Sequence, residues 1–300
     1  MKQRSSFSLQ QKRHRGLLGF LAPGVLFIAL FVAYPILYNF WLSIHDVGLG
    51  NLGGEWPFVG LGNYVGLFQS RIFTQTLWNS VAFTVGSIAP QFVIGFALAV
   101  LLLKKFPGAQ IVRGGIILGW VIAPIVVGTV WRWMFNSDYG LINHFLQLLT
   151  ITSDRVSWLP NPDRAMIAVI VANVWLGIPF NMMLLIGGLS ALPVTVYDSA
   201  SIDGANRVQT FFFITVPMMR QTMAATIMLG LMFTFKVFDL IWVMTRGGPV
   251  NSTTTLPILT YRYSFNFFEF GLGATVAIVL FVFMAIVSIG YIHKFVGVDE

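Results

Sequence analysis

The 300-residue chain contains no cysteine, and charged residues make up only 10% of it. The first absence excludes disulfides, thiolate metal sites and cysteine nucleophiles. The second excludes an ordinary water-soluble domain, in which about 25% of residues are charged. It also excludes disorder, which goes with low hydrophobicity and high charge. Acids are scarcer than bases, 11 against 18, for a net charge of +7. Such a balance suggests a nucleic-acid partner, yet the 28 Phe and 9 Trp sit mostly in long apolar runs, so none is expected. The four histidines (His14, His45, His144, His293) are scattered, with no HExxH spacing. A GxxxxGK phosphate loop and a GxSxG elbow are missing too. The expectation is a chain that is not an enzyme and holds no metal.

What is present is apolar length. Hydrophobic residues are 56% of the chain and the mean hydropathy is +0.78. Crossing a bilayer core takes about 20 apolar residues as a helix. Runs with few or no charges predict six spans, at about 16–44, 78–103, 114–135, 166–192, 221–245 and 270–292. Helices are required because backbone groups in lipid must pair within the segment, and these runs are too long for barrel strands. The first run is too long for a cleavable signal peptide, and no small-residue cleavage site follows it. The fold class is therefore an all-α polytopic membrane protein, a single transmembrane domain over 16–300 behind a polar tail over 1–15.

Basic residues orient it. The tail carries Lys2, Arg4, Lys12, Arg13 and Arg15. With the tail inside, eleven of the 18 basic residues fall in the inner segments 1–15, 104–113, 198–220 and 293–300. Positive charge concentrates on the cytoplasmic side, so both termini are expected to be cytoplasmic.

Within the spans, a few polar residues stand out against the apolar background. Intramembrane charges are costly and face a cavity or a partner. Lys236 and Asp239 are three apart, so on one helix face they either pair or line a path. Arg132, between Trp131 and Trp133, either snorkels to the outer headgroups with the tryptophans as interface anchors or contacts a ligand. Asn173 and Asn181 either bond between helices or meet substrate. Together with Trp175, Phe235, Phe238, Asp239 and Trp242 they form the candidate path. A sugar would need amides for its hydroxyls and aromatic faces for its C–H side. Pro23, Pro35, Pro90, Pro124 and Pro179 fit either the ordinary composition of membrane helices or kinks around such a path.

One inner loop, 193–220, is more than a connector. Pro193 suits a helix start. Tyr197, Ala200 and Ser201 share a face. Gly204 suits a helix end that needs positive φ. A second helical stretch carries Phe211, Phe212 and Ile214 toward Pro217. Small residues at the bend, Ser199, Ala200, Ser201, Gly204 and Ala205, permit close approach of another protein. A surface helix resting on headgroups fits the same pattern.

The segment Asp198-Ser199-Ala200-Ser201-Ile202-Asp203-Gly204-Ala205, ending at Val216-Pro217, resembles the EAA loop of permease subunits of binding-protein-dependent ABC importers. The family's usual Glu-Ala-Ala is here Asp-Ser-Ala, while Asp203 and Gly204 match. Phe238-Asp239, then Met244-Thr245-Arg246-Gly247-Gly248-Pro249, Thr253-Thr254-Thr255-Leu256 and Tyr261-Arg262, resemble the fifth-span exit of the carbohydrate-type, maltose and glycerol-phosphate group. Ala33-Tyr34-Pro35-Ile36 with Phe58-Val59-Gly60-Leu61-Gly62-Asn63-Tyr64 is a third likeness. The resemblance implies a type I importer permease fold in a prokaryotic plasma (inner) membrane. It implies three kinds of partner besides lipid: a second homologous permease, two ATPase subunits holding ATP and Mg, and an extracytoplasmic binding protein that delivers a sugar or sugar-like solute. It implies that Tyr197, Asp198, Ser199, Ala200, Asp203, Gly204 and Ala205 couple to the ATPases. The rival class is an autonomous secondary transporter or channel. That would need a coupling-ion site, and the first, second, fourth and sixth spans carry no Asp, Glu, Lys or Arg.

Overall fold

A computed structural model describes residues 20–103 and 106–295. The basic tail over 1–15, with Lys104 and Lys105, lies outside the described residues. In chain order the helices are α1 (Phe20–Ser43, with a π turn at Ala29–Ala33), α2 (Gly62–Gln69), α3 (Arg71–Leu103), α4 (Ala109–Val121), α5 (Pro124–Met134), α6 (Leu141–Leu148) and α7 (Pro162–Ser190). They continue as α8 (Val194–Ile202), α9 (Arg207–Met218), α10 (Arg220–Phe235), α11 (Asp239–Thr245), α12 (Leu256–Tyr261) and α13 (Phe270–Phe295). No strand occurs among the described residues, only two isolated bridges, His45 with Phe58 and Gly48 with Glu269. The all-α expectation holds.

Four helices, α1, α3, α7 and α13, are long and apolar enough to cross a bilayer. Two bent pairs, α4 with α5 (99°) and α9 with α10 (66°), raise the number to at most six. The third expected span is therefore not a single straight helix. Pro124 explains the bend: the residue before a proline is driven out of the α region, and Ile122 and Ala123 are extended, with ψ 131° and 136°. The fifth expected span, 221–245, is also interrupted. Helix α10 ends at Phe235, and α11 begins only at Asp239.

The chain divides into two compact units. In the first, described over 20–67 and 262–278, the end of α1 is pinned by Asn63. Its Nδ2 donates to the carbonyls of Ser43 (3.0 Å) and His45 (2.9 Å). Gly271 approaches the His45 carbonyl too closely for any side chain, and its N–H donates to Val47 O at 3.0 Å.

The second unit, described over 68–261 and 279–295, is built on α3 and α7. These two helices run parallel: Gly86 faces Ile170, Gln91 lies over Gly177, and Gly95 faces Asn181. Parallel neighbours require the chain to cross back between Leu103 and Pro162, and α4 with α5 makes that return. Helix α10 then runs antiparallel to α7, with Thr222 beside Gly188 and Gly230 beside Asn181. Glycine at each crossing lets the backbones approach, as helix association in lipid requires. Two apolar cores result. One gathers Phe83, Val127, Phe135, Ala168, Val169, Ala172, Leu240, Ile241, Met244 and Ile258. The other, beside α8 and α9, gathers Phe96, Ala99, Leu102, Met182, Leu185, Leu189 and Met219. On both long helices the cores are separated by a polar stretch.

A side chain at Gly95 has no room, since a Cβ there would lie 2.8 Å from Asn181 Cβ and 3.1 Å from the Met182 nitrogen. Gly95→Val is expected to destabilise by about 1–3 kcal/mol through overpacking. Gly115→Val, with nothing within 4 Å, should not. Thermal unfolding of the two variants in one detergent checks this.

Candidate functional site

The polar stretch between the cores opens into a cleft of about 320 Å³. Gln91 of α3 is buried, and its Nε2 donates to the Asn173 carbonyl of α7 at 2.9 Å. Asn181, two turns further along α7, donates from Nδ2 to Gly177 O at 2.9 Å. Of the seven buried side-chain polar atoms without a partner among the described residues, two belong to residues lining this cleft, Asn173 Nδ2 and Asn181 Oδ1, on residues only 3% and 1% exposed. A buried polar atom without a partner costs about 1–3 kcal/mol, so two on one cleft call for an explanation. Facing them are aromatic walls: Trp120 against Phe180 (centroids 5.9 Å), Phe180 edge-on to Phe233 (5.2 Å), and Phe238.

Lys236 and Asp239 both reach this cleft, but they do not pair. The expected i, i+3 geometry fails because the helix is broken between them. Lys236 caps the C-terminus of α10 and Asp239 opens the first turn of α11. Each charge thus complements the dipole of its own helix. The Lys236 ammonium lies 5.1 Å from the Phe233 ring centroid, a cation–π contact. The cleft offers amide donors and acceptors, one cation, one carboxylate and aromatic faces. That set suits a polyhydroxylated ring.

Of the residues expected on the path, Asn173, Asn181, Phe238 and Asp239 line the cleft. Trp175, two residues from Asn173, is turned to the other side of α7. It packs over Gly119 and edge-on to Trp131, 6.4 Å away. Phe235 stacks on Phe283 at 4.4 Å, and Trp242 stands behind Phe238, stacked at 5.5 Å. Gln91, Trp120, Phe180, Phe233 and Thr234 were not expected there. Gln91 carried the same signal as Asn173, an amide inside a charge-free run. Arg132 is exposed, and its Nη1 reaches Val243 O of α11 at 3.4 Å. Trp133 is 64% exposed, whereas Trp131 is half-buried against Phe135 and the core.

The 193–219 segment forms the turn its sequence suggests. Helix α8 ends in a Schellman motif: Ala205 N–H donates to Ala200 O (2.9 Å) and Gly204 N–H to Ser201 O (3.2 Å). Gly204 takes φ +78°, which only glycine adopts readily, although a Cβ there would meet nothing. Asn206 and Gln209 then form a capping box, both bonds 2.9 Å, that restarts the chain as α9. Tyr197 OH and Thr215 Oγ1 join the two helices at 3.1 Å. Tyr197, Ser201 and Ala205 face a groove of about 680 Å³ together with Arg207 and Phe211. Ala200 is buried, while Asp198, Ser199, Asp203 and Gly204 are exposed. Ile202 at the tip is 86% exposed.

At the opposite end the 245–256 segment is latched to α3. Asn79 Nδ2 donates to Asn251 O (2.8 Å) and Thr254 O (3.1 Å), and Ser80 Oγ accepts from Leu256 N–H (2.9 Å). Thr245 and Thr253 hydroxyls meet at 2.6 Å, and Thr254 Oγ1 donates to Gly247 O at 2.8 Å. These bonds hold Arg246, Val250 and Asn251 at positive φ, a strained state for a β-branched residue such as Val250.

The family model described as binding-protein-dependent transport system inner membrane component matches residues 80–297. The chain is 32% identical over 278 residues to the trehalose/maltose transport system permease protein MalF of Thermococcus litoralis, covering 92% of each chain. It is 28% identical over 273 residues to the sulfoquinovosyl glycerol transport system permease protein SmoG of Agrobacterium fabrum, covering 91% of this chain and 88% of that one. Among solved structures it is similar to a chain from a bacterial ABC transporter involved in the import of the acidic polysaccharide alginate. That match has a TM-score of 0.82 and 20% identity, over 98% of this chain and 100% of the other. This last likeness is one of fold.

Removing the Asn79 amide should release the latch. In Asn79→Ala, amide hydrogen exchange across 250–256 is expected to accelerate while α7 keeps its protection, because local opening follows lost local bonds. Exchange mass spectrometry of the variant beside the unaltered protein reads this directly.

Proposed function

Since the chain belongs to the family of binding-protein-dependent transport system inner membrane components, we propose that it forms half of the translocation pathway for a sugar or sugar-like solute. A binding protein delivers the solute from outside, and a second homologous permease supplies the other half. ATP and Mg are held by two separate cytoplasmic ATPase subunits, so this chain is not itself an enzyme. It spans a prokaryotic plasma (inner) membrane six times with both termini cytoplasmic, α4–α5 and α10–α11 being the two interrupted spans. The observation that carries the reading is the pair of unmatched buried amides, Asn173 Nδ2 and Asn181 Oδ1, in an aromatic-walled cleft on α7, the helix that leads directly into α8. The trehalose/maltose and sulfoquinovosyl glycerol relatives support a glycoside as cargo.

In this mechanism hydroxyls of the solute satisfy Asn173 and Asn181, and its C–H face lies on Phe180, Phe233 or Phe238. Lys236 and Asp239 hold the hydroxyls that the amides do not reach. The bend of α8, with Tyr197, Asp198, Ser199, Ala200, Asp203, Gly204 and Ala205, docks on an ATPase. Exposed Ile202 and Val194 present apolar surface, and Asp198 and Asp203 present charge. Its motion reaches the cleft through the core of Met182, Leu185, Leu189 and Met219, which fastens α7 to the start of α10. Transport then alternates the side from which the cleft is open.

The complex reconstituted with its ATPases and binding protein tests both sites. Asn181→Leu is expected to lower solute uptake more than tenfold, equivalent to about 1.4 kcal/mol or more, with basal ATP hydrolysis retained. Gly204→Arg or Asp198→Lys should abolish binding-protein-stimulated ATP hydrolysis while the chain still inserts. Unchanged stimulation in the α8 variants contradicts the coupling role. Wild-type uptake by Asn181→Leu removes the cleft from the path.

A further inference from the structure

We propose that α6 and the turns flanking it form a lipid-docking surface, with one face of the helix seated in the bilayer at the membrane–water boundary. The helix has two apolar sides. Ile142 packs into the core with Phe135 and Trp158. Leu141, Phe145, Leu148 and Leu149 point the other way and are 46%, 49%, 68% and 64% exposed. At spacings of four, three and one they lie on one helical face.

The outward face cannot simply roll inward, because a buried amide fixes the helix rotation. Asn143 is 4% exposed. Its Nδ2 donates to Ser137 O (3.0 Å) and Val156 O (2.9 Å), and its Oδ1 accepts from Trp158 Nε1 at 2.9 Å. The turn before the helix and the helix C-terminus are bonded as well. Asn136 Oδ1 accepts from the N–H groups of Asp138 and Tyr139. A Schellman motif, Ile151 N–H to Leu146 O and Thr150 N–H to Gln147 O (both 3.0 Å), covers the C-terminal carbonyls. Backbone groups that enter hydrocarbon must be satisfied internally, and at the C-terminal end, where Leu148 and Leu149 are exposed, the Schellman bonds do this.

Lipid is the occupant that the surroundings fit. The face is reached along the chain from Val126, Val130 and Trp133 of α5, an exposed apolar stripe at i, i+4, i+7. Formal charges avoid it: Asp138 and Arg155, paired at 4.0 Å, are themselves well exposed. Tyr139, at the N-terminal edge, is 74% exposed, and tyrosine and tryptophan favour the headgroup level. An amphipathic helix with this segregation lies in the interface plane. The side on which it lies, outer by this topology, rests on the orientation proposed above; the contact with lipid does not.

The natural absence of cysteine gives the test. Single variants Phe145→Cys, Leu148→Cys and Ser153→Cys are nitroxide-labelled in the assembled transporter. They are measured in phosphatidylcholine/phosphatidylglycerol nanodiscs by collisional relaxation with oxygen and with a neutral nickel chelate. Oxygen should outweigh the chelate at 145 and 148, and the order should reverse at 153. Greater chelate access at 145 and 148 overturns the proposal. So does protection from both reagents, which would place another protein on the face. Because the readout does not depend on turnover, labels found in lipid beside inactive transport would refute the functional reading alone.

Discussion

The seating of Gln91 over Gly177 fixes where α3 and α7 cross, and the rest of the second unit follows from that crossing. A glutamine inside a bilayer is unfavourable unless it is bonded. Here it gains the Asn173 carbonyl, and Gly177 makes the space. On either side of that seat Gly86 meets Ile170 and Gly95 meets Asn181, with no room for a side chain at either glycine. Apolar cores form above and below. Between them the remaining amide groups of Asn173 and Asn181 have nowhere to bond within the chain. The cleft is thus a consequence of how the helices can pack.

The same economy governs the charges. Lys236 and Asp239 are placed at facing ends of two short helices, and each is stabilised by a dipole rather than by the other. A direct ion pair would fill part of the cleft with protein. Two separately stabilised charges leave it open and keep both groups available to a solute. The break that separates them also frees α11 to pack on α5, where Gly128 approaches the Leu240 backbone. One interruption therefore serves both the lining of the cleft and the core beyond it.

Much of this was legible in the residues. Charge-free runs marked the apolar helices, Gly204 marked the α8 turn with its positive φ, and Pro124 carried the reason for the bend in the third span. Thr253, Thr254 and Asn63 stood in the recognised motifs, and they take part in the latch and the pin. Other features were not legible because they depend on distant partners. No proline or glycine announces the break at 236–238; it goes with the packing of α11 on α5. Trp175 looked like a path residue by type, but a position two residues from Asn173 falls on the opposite side of a helix. The role of Gln91 needed Gly177, far along the chain. Asn143 carried no signal in the sequence, and only its three bonds identify it as the pin of α6.

The central claim is that one cleft, lined by α3, α7 and the α10–α11 break, opens alternately to the two sides of the membrane under ATP control. Its most direct measurement uses a single cysteine at Asp239 in the assembled, membrane-reconstituted transporter. Reaction with an impermeant thiol reagent is followed from each side, with and without ATP plus vanadate. The expected result is access from the ATPase side in the resting state and from the binding-protein side in the trapped state. Access from both sides at once, or from one unchanged side in both states, would contradict it.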